Sequence, residues 1–215
     1  MPTAFLCTAM DPPPAPREPS RAAAAPRFGI CLPGDPLRPE LEAFIGEVYR
    51  RRHGARVRAF MPVLVSLRDA SGIVAAAGYR CAGDSPLFLE RYLDAPVESL
   101  LAAAQGAAPD RAAIVEVGHL AAARAGEGRR LILALGPHLA RQRFQWVVGT
   151  LTRELRSLFL RIGVTPLTLG PADPAALGEQ AADWGTYYEH APLVLAGHLP
   201  QALRHLAGRR PGTSR

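Results

Sequence analysis

Glu116 stands inside the apolar run "IVEV", a carboxylate among Ile114, Val115 and Val117. Burial beside such neighbours raises a carboxylate pKa and makes the anion a better base, able to take a proton from an amine directly or through a water. The alternative is an ion pair with an arginine on a neighbouring strand, Arg80 for instance, and the sequence leaves both readings open. His119 follows three residues later. Strand alternation places it on the opposite face from Glu116, so the two share a site only if the backbone bulges near Gly118. Without that bulge His119 reads as a hydrogen-bonded core histidine.

The same stretch runs on into "RAGEGRR", residues 124–130. Gly126 and Gly128 leave backbone N–H groups unobstructed where a helix begins, and Arg124, Arg129 and Arg130 add positive charge, a combination that suits a diphosphate. A solvated glycine-rich loop is the plain alternative. Later, "DWGTYYEH" sets Trp184, Tyr187 and Tyr188 ahead of the last strand. If that segment is extended, the two tyrosines point to opposite sides and only one reaches a site.

These residues need a scaffold, and the pattern supplies one. Leu41, Phe44, Ile45, Val48 and Tyr49 recur at helical spacing after a possible cap at Asp35; Arg50, Arg51, Arg52 and His53 fill the last turn, and Gly54 ends it. The runs "RVRAFMPVLVSL" and "GIVAAAGYRCA" flank "RDAS" as a hairpin, and a helical pair, "PLFLERYL" and "PVESLLAAA", follows. From "AAIVEVGHL" onward, strands and helices alternate through "RRLILALGPHLARQR", "QWVVGTL", "TRELRSLFLRIG" and "TPLTLG", which predicts parallel pairing with crossover helices. A short helix at "DPAALGEQAADW", a strand "YYEHAPLVLAG" and a helix "LPQALRHLAG" complete the order. The expectation is one α/β domain over 27–207, with a Pro/Ala/Arg-rich flexible leader over 1–26 and a short tail over 208–215.

All 25 basic residues are arginine, and the formal charge of +6 favours an anionic partner. The arginines are dispersed with no recognised nucleic-acid module, so nucleic acid is not expected. Cys7, Cys31 and Cys81 form no CxxC and no metal-ligand spacing, which points to a reduced, cytoplasmic setting without a bound metal. No run approaches the ~20 apolar residues of a membrane span, and any membrane contact is expected to be peripheral.

The element order with a cofactor loop after the central strand resembles the GNAT acyltransferase fold, a mixed, twisted sheet flanked by helices. "RAGEGR" is one residue shorter than that fold's R-x-x-G-x-G/A pattern. Over roughly residues 35–200, "LFLERYLDAPVE", "IVEVGHLAAARAGEGRRLI", "WVVGTLTRELRSLFLRIGVTPLTLGPAD" and "WGTYYEHAPLVLAGHL" resemble the thermostable hemolysin family, which is similar in turn to acyl-homoserine-lactone synthases. His119 stands where asparagine is more usual in the family. The resemblance implies an N-acyltransferase. Its donor would be an acyl-CoA or the phosphopantetheine thioester of an acyl carrier protein, and its acceptor a small amine. It implies Glu116 and His119 near the chemistry, Tyr187 protonating the departing thiolate, Arg124, Gly126, Gly128, Arg129 and Arg130 on the donor, and Arg80 and Trp184 on the acceptor side. Any lysis would come from an amphiphilic product. Two other readings stay open: a directly membrane-lytic protein, and a GNAT-like binding module without catalysis.

Overall fold

A computed structural model describes residues 25–208; apart from residues 25, 26 and 208, the expected leader and tail lie outside the described residues. The elements are β1 (Arg27–Cys31), α1 (Arg38–His53), β2 (Val63–Asp69), β3 (Gly72–Cys81), α2 (Val97–Gln105), β4 (Ile114–Ala122), α3 (Glu127–Arg141), β5 (Trp146–Leu151), α4 (Arg153–Arg161), β6 (Leu167–Pro171), β7 (Leu193–His198) and α5 (Leu199–Gly208). Short 3-10 turns cover Phe88–Tyr92, Arg111–Ala113, Pro174–Trp184 and Tyr187–His190.

The strands form one sheet in the order β1-β2-β3-β4-β5-β7-β6. Neighbours run antiparallel except β4 and β5, which run parallel because α3 carries the chain back across the sheet between them. The face of Val115, Tyr79 and Val65 buries Leu131, Leu135 and Leu139 of α3 and Leu199 of α5. The opposite face buries Leu41 and Ile45 of α1 against Leu64, Ala76 and Ala121, and Leu89, Val97 and Leu101 against Ile114, Trp146 and Val148. This is the mixed, helix-flanked sheet that the fold resemblance implies; the parallel pairing expected from the alternation holds only for β4 and β5, because β7 inserts between β5 and β6 and pairs antiparallel with both.

Two local features of β4 shape everything near its middle. First, β4 pairs with β5 only at Ile114–Trp146, Val115–Val147 and Glu116–Val148; beyond these, β5 continues its pairing with β7 and β4 with β3, so the sheet splits. Second, the β3–β4 register runs Ala76–Ala121 and then Gly78–Gly118, which sets His119 and Leu120 opposite the single residue Ala77. His119 takes φ 53°, a left-handed conformation rare outside glycine and costly to hold. The bulge shifts the alternation: His119 packs on Phe60 and Tyr49 at the α1 face, while Leu120 turns to the α3 face and Ala121 back to the α1 face. Glu116 and His119 therefore share a face, the condition that the sequence pattern set for a common site.

Several expectations are corrected. Residues 27–31, for which the sequence pattern gives no element, form an edge strand against β2. The strand after α1 begins at Val63, because residues 54–61 are irregular. Asp35 accepts the Leu37 N–H (2.8 Å) one turn before α1, whose cap is Leu37 itself. The "YYEH" segment is a 3-10 turn rather than a strand, and the tyrosines diverge all the same: Tyr188 bonds the Tyr92 hydroxyl at 2.6 Å, while Tyr187 turns inward.

The end of α1 is fastened to that turn. Gly54 caps the helix at φ 66°, and the His53 carbonyl accepts the Thr186 N–H (2.8 Å) and its hydroxyl (3.3 Å). Gly185 adopts φ 50°, and a Cβ there would lie 2.0 Å from the His53 oxygen. Gly178 has φ 56° but open space around it. Gly185→Ala is thus expected to cost about 3 kcal/mol or more, backbone strain plus overpacking, and Gly178→Ala only the strain, about 1–2 kcal/mol. Urea unfolding of both variants checks this; equal costs would show that the contact at His53 is not tight.

Candidate active site

A cavity of about 230 Å³ occupies the split. It passes from the α1 face, where Tyr49, His53, His119 and Tyr187 line it, between Gly118 of β4 and Gly149 of β5 to an apolar end formed by α3, α4 and α5. Leu135, Leu139, Phe159 and Leu203 stand at that far end. Arg52 is the one arginine, lysine or carboxylate-bearing residue among the described residues of the wall, and it is ion-paired with Glu154. The strand edges that part here have backbone groups free of ladder partners, suited to an extended ligand with amides of its own.

Tyr187 is 9 % exposed and donates its hydroxyl to the Thr150 carbonyl at 3.2 Å, which holds it at the lip of β5. Burial, followed by the neighbouring Tyr49 and Tyr188, pushes its phenol well above the usual tyrosine range, so it keeps its proton near neutrality. Its ring stacks on Tyr49 (6.4 Å, 23°) and meets His53 edge-on at 5.3 Å. Trp184 backs this group, 5.4 Å from Tyr187 and 6.0 Å from Phe88, without reaching the cavity wall.

Glu116 is 3 % exposed and also stays behind the wall. Its Oε2 accepts the Phe88 N–H at 2.9 Å and its Oε1 the Leu89 N–H at 3.1 Å, so the carboxylate caps the Phe88–Tyr92 turn. Arg80 is its cross-strand partner, Nε 3.5 Å from Oε2. Burial raises the carboxyl above its ordinary range, while the two N–H donors and Arg80 pull it back. Both properties weighed from sequence, a desolvated carboxylate and a partner of Arg80, hold at once. Arg80 itself is mostly buried and turned to Glu116 rather than to the cavity.

The glycine-rich loop lies between β4 and α3. Gly126 is the N-cap of α3 at φ 88°, a conformation that only glycine takes freely. Arg124 is tied to Ser71 (3.0 Å) and Asp69 (3.5 Å) on the β2–β3 turn, and Arg130 to Glu127 (3.1 Å). Arg129 is exposed and makes no ion pair among the described residues, and Gly128 follows the cap inside the first turn. Glu90, from the same sequence stretch as Leu89, belongs to a separate network with Arg111 and the Leu87 and Val97 N–H groups.

The structure thus brings His119 and Tyr187 to one cavity, sets Glu116, Arg80 and Trp184 immediately behind it, and keeps the loop at the head of α3. Sequence reasoning missed Tyr49 and His53. They lie at i and i+4 on one helical face, and only the basic run Arg50–Arg52 made His53 look like a solvated helix end. Among the described residues no cluster of three or more His, Cys, Asp or Glu could hold a metal.

Both imidazoles are held neutral. Burial first, then His190 and Arg52, lowers His53 to about 4; burial first, then Arg80, lowers His119 to about 4. The folded state resists protonation, so the contribution of each ring is fully present above the ordinary value of 6.5 and is lost as pH falls toward 4. Glu116 acts with the opposite sign, favouring the fold as it protonates. Urea unfolding is expected to show stability falling from pH 6.5 to 4 by on the order of 1–3 kcal/mol per ring, with the slope reduced in His53→Gln and in His119→Gln. A flat profile in the wild type would contradict neutral, desolvated rings.

Known structures share this architecture. The acyl-homoserine-lactone synthase LasI aligns at 15% identity with TM-score 0.59, covering 88% of this chain and 98% of its own. FeeM, an N-acyl amino acid synthase from uncultured soil microbes, aligns at 13% identity and TM-score 0.58, covering 86% and 98%. BjaI, a CoA-dependent acyl-homoserine-lactone synthase solved with SAM and isopentyl-CoA, aligns at 15% identity and TM-score 0.51, covering 86% and 89%. At these identities the likeness establishes a common GNAT-like fold. No curated protein matches the chain. The family profile described as thermostable hemolysin matches residues 32–203, and with the split sheet and its bulged central strand in place the chain belongs to the thermostable hemolysin family.

Proposed function

We propose that the chain transfers an acyl group from a thioester to an amine. The observation that carries this reading is the cavity through the β4–β5 split: polar and aromatic at the α1 face, apolar through the sheet, and flanked by strand edges free to pair with a ligand's amides. A pantetheine arm has amides to pair there, and its acyl chain has the space among Leu135, Leu139, Phe159 and Leu203 to leave water. The thioester would then sit beside Tyr187. Attack by the amine forms the C–N bond and breaks the C–S bond; Tyr187, protonated at neutral pH, gives its proton to the departing thiolate. His119 faces the amine from β4, and Glu116 keeps the Phe88–Tyr92 turn and Arg80 in place behind it. The acceptor would enter past Trp184.

Gly126, Gly128 and the uncommitted Arg129 would hold the anionic end of the donor, with Arg124 and Arg130 exchanging their present partners for it. A CoA diphosphate fits this small site, whereas a carrier protein would need a wider basic surface. Support also comes from fold relatives named for acyl-homoserine-lactone and N-acyl amino acid synthesis, one of them CoA-dependent. Such chemistry belongs in the cytoplasm, where acyl thioesters are found. Among the described residues no helix is long and apolar enough to cross a membrane, in keeping with lysis by an amphiphilic product rather than by insertion of the protein.

The test is to incubate purified protein with decanoyl-CoA, or decanoyl carrier protein, and a mixture of amino acids, polyamines and SAM, reading thiol release and N-decanoyl products by mass spectrometry. Acylated amine is expected, with Tyr187→Phe slower by roughly 10²-fold or more. Erythrocyte lysis should require the donor. Lysis by protein alone, with no acylated product from either donor, would favour the directly lytic reading.

A further inference from the structure

His53 is the side chain at this cavity that no motif accounts for. It is 7 % exposed, and its Nδ1 is fully buried without a hydrogen-bond partner. A buried ring nitrogen without a partner costs stability and leaves hydrogen-bonding capacity that a bound ligand or proton could use. Two further features fix its backbone: the Thr186 bonds to the His53 carbonyl and the glycine required at Gly185 hold the end of α1 against the turn that carries Tyr187, whose ring meets the imidazole edge-on.

Three groups compete to take the proton from the acceptor amine. Glu116 is committed through both oxygens to backbone N–H groups and is sealed behind the wall. His119 lines the cavity, but its Nδ1 is turned toward β3, 3.3 Å from where a Gly78 Cβ would lie, and its ring packs on Phe60 and Tyr49 rather than on Tyr187. His53 lines the same wall, touches the ring of Tyr187, and is surrounded by Tyr49 and Arg52 from α1 and by Tyr187 and His190 from the facing turn. With Arg52 drawn to Glu154, no carboxylate among the described residues pairs with His53 to hold it as a cation.

We infer that His53 is the catalytic base of the acyl transfer proposed above, accepting the proton that the amine loses as the C–N bond forms. The inference rests on that reading. The thiolate takes its proton from Tyr187, and the proton on His53 then returns to the Tyr187 phenolate, so one proton passes in net from amine to thiol. The ring is neutral near pH 7, with burial as the main cause, and so is free to act.

The test uses decanoyl-CoA and whichever amine the wild type acylates. In His53→Ala, kcat is expected to fall by roughly 10²–10⁴-fold with KM for decanoyl-CoA little changed. Added imidazole should restore the rate, while pyrazole, of the same shape but a far weaker base, should not. A rate within threefold of wild type, or equal rescue by both azoles, would overturn the base role and leave acyl transfer standing. Wild type that acylates no amine would remove both. If His53→Ala does not fold, His53→Gln replaces it, and 15N NMR of the histidine rings in wild type gives a separate reading. His53 must be neutral at pH 7 and shift on addition of decanoyl-CoA; a charged ring or an unmoved resonance overturns the inference.

Discussion

Three residue pairs, Ile114–Trp146, Val115–Val147 and Glu116–Val148, join the two halves of the sheet. This short parallel seam is the constraint on which the rest depends. A longer seam would close the cavity, and a shorter one would leave β5 tied to β4 by little more than the Gln145 N–H bond to the Ala113 carbonyl. The seam ends where β4 meets Gly118 and the bulge at His119, and where β5 meets Gly149, whose Cβ, if it had one, would lie 2.7 Å from the Val117 oxygen. Backbone geometry at Gly118, His119 and Gly149 therefore marks where the sheet opens and how closely its two lips still approach.

The polar groups around the opening follow from that geometry. Glu116 sits on the last pair of the seam and caps the Phe88–Tyr92 turn from inside the sheet, so a buried charge is offset by two N–H donors and Arg80. On the cavity wall itself the Nδ1 atoms of His53, from α1, and His119, three residues past the seam, are both buried and unbonded; behind it the Arg80 Nε, 3.5 Å from Glu116, is likewise without a hydrogen bond. Unused hydrogen-bonding capacity at the two imidazoles on the wall is what a bound ligand would complete.

Much of the architecture was legible because it depends on local pattern. The 3.6-residue stripe from Leu41 to Tyr49, the Gly54 stop and the strand–helix alternation after residue 112 are set by side chains that each element buries on its own. The bulge was legible as a condition: Glu116 and His119 differ by an odd number of residues, and Gly118 stands between them. What stayed hidden depends on long-range contact. "RFGIC" becomes a strand only because β2 offers an edge, and "YYEH" turns because Ala191 takes a left-handed conformation and Thr186 is held by His53. His53 gave no signal, since its role comes from a segment more than a hundred residues away.

The central claim is that an acyl thioester lies in the split with its carbonyl beside Tyr187. A crystal structure of the protein with decanoyl-CoA tests it most directly. The account predicts the decanoyl chain among Leu135, Leu139, Phe159 and Leu203, pantetheine amides bonded to the facing edges of β4 and β5, and the diphosphate at Gly126–Arg129. A ligand bound elsewhere on the surface, with the split still empty at saturating donor, would contradict it.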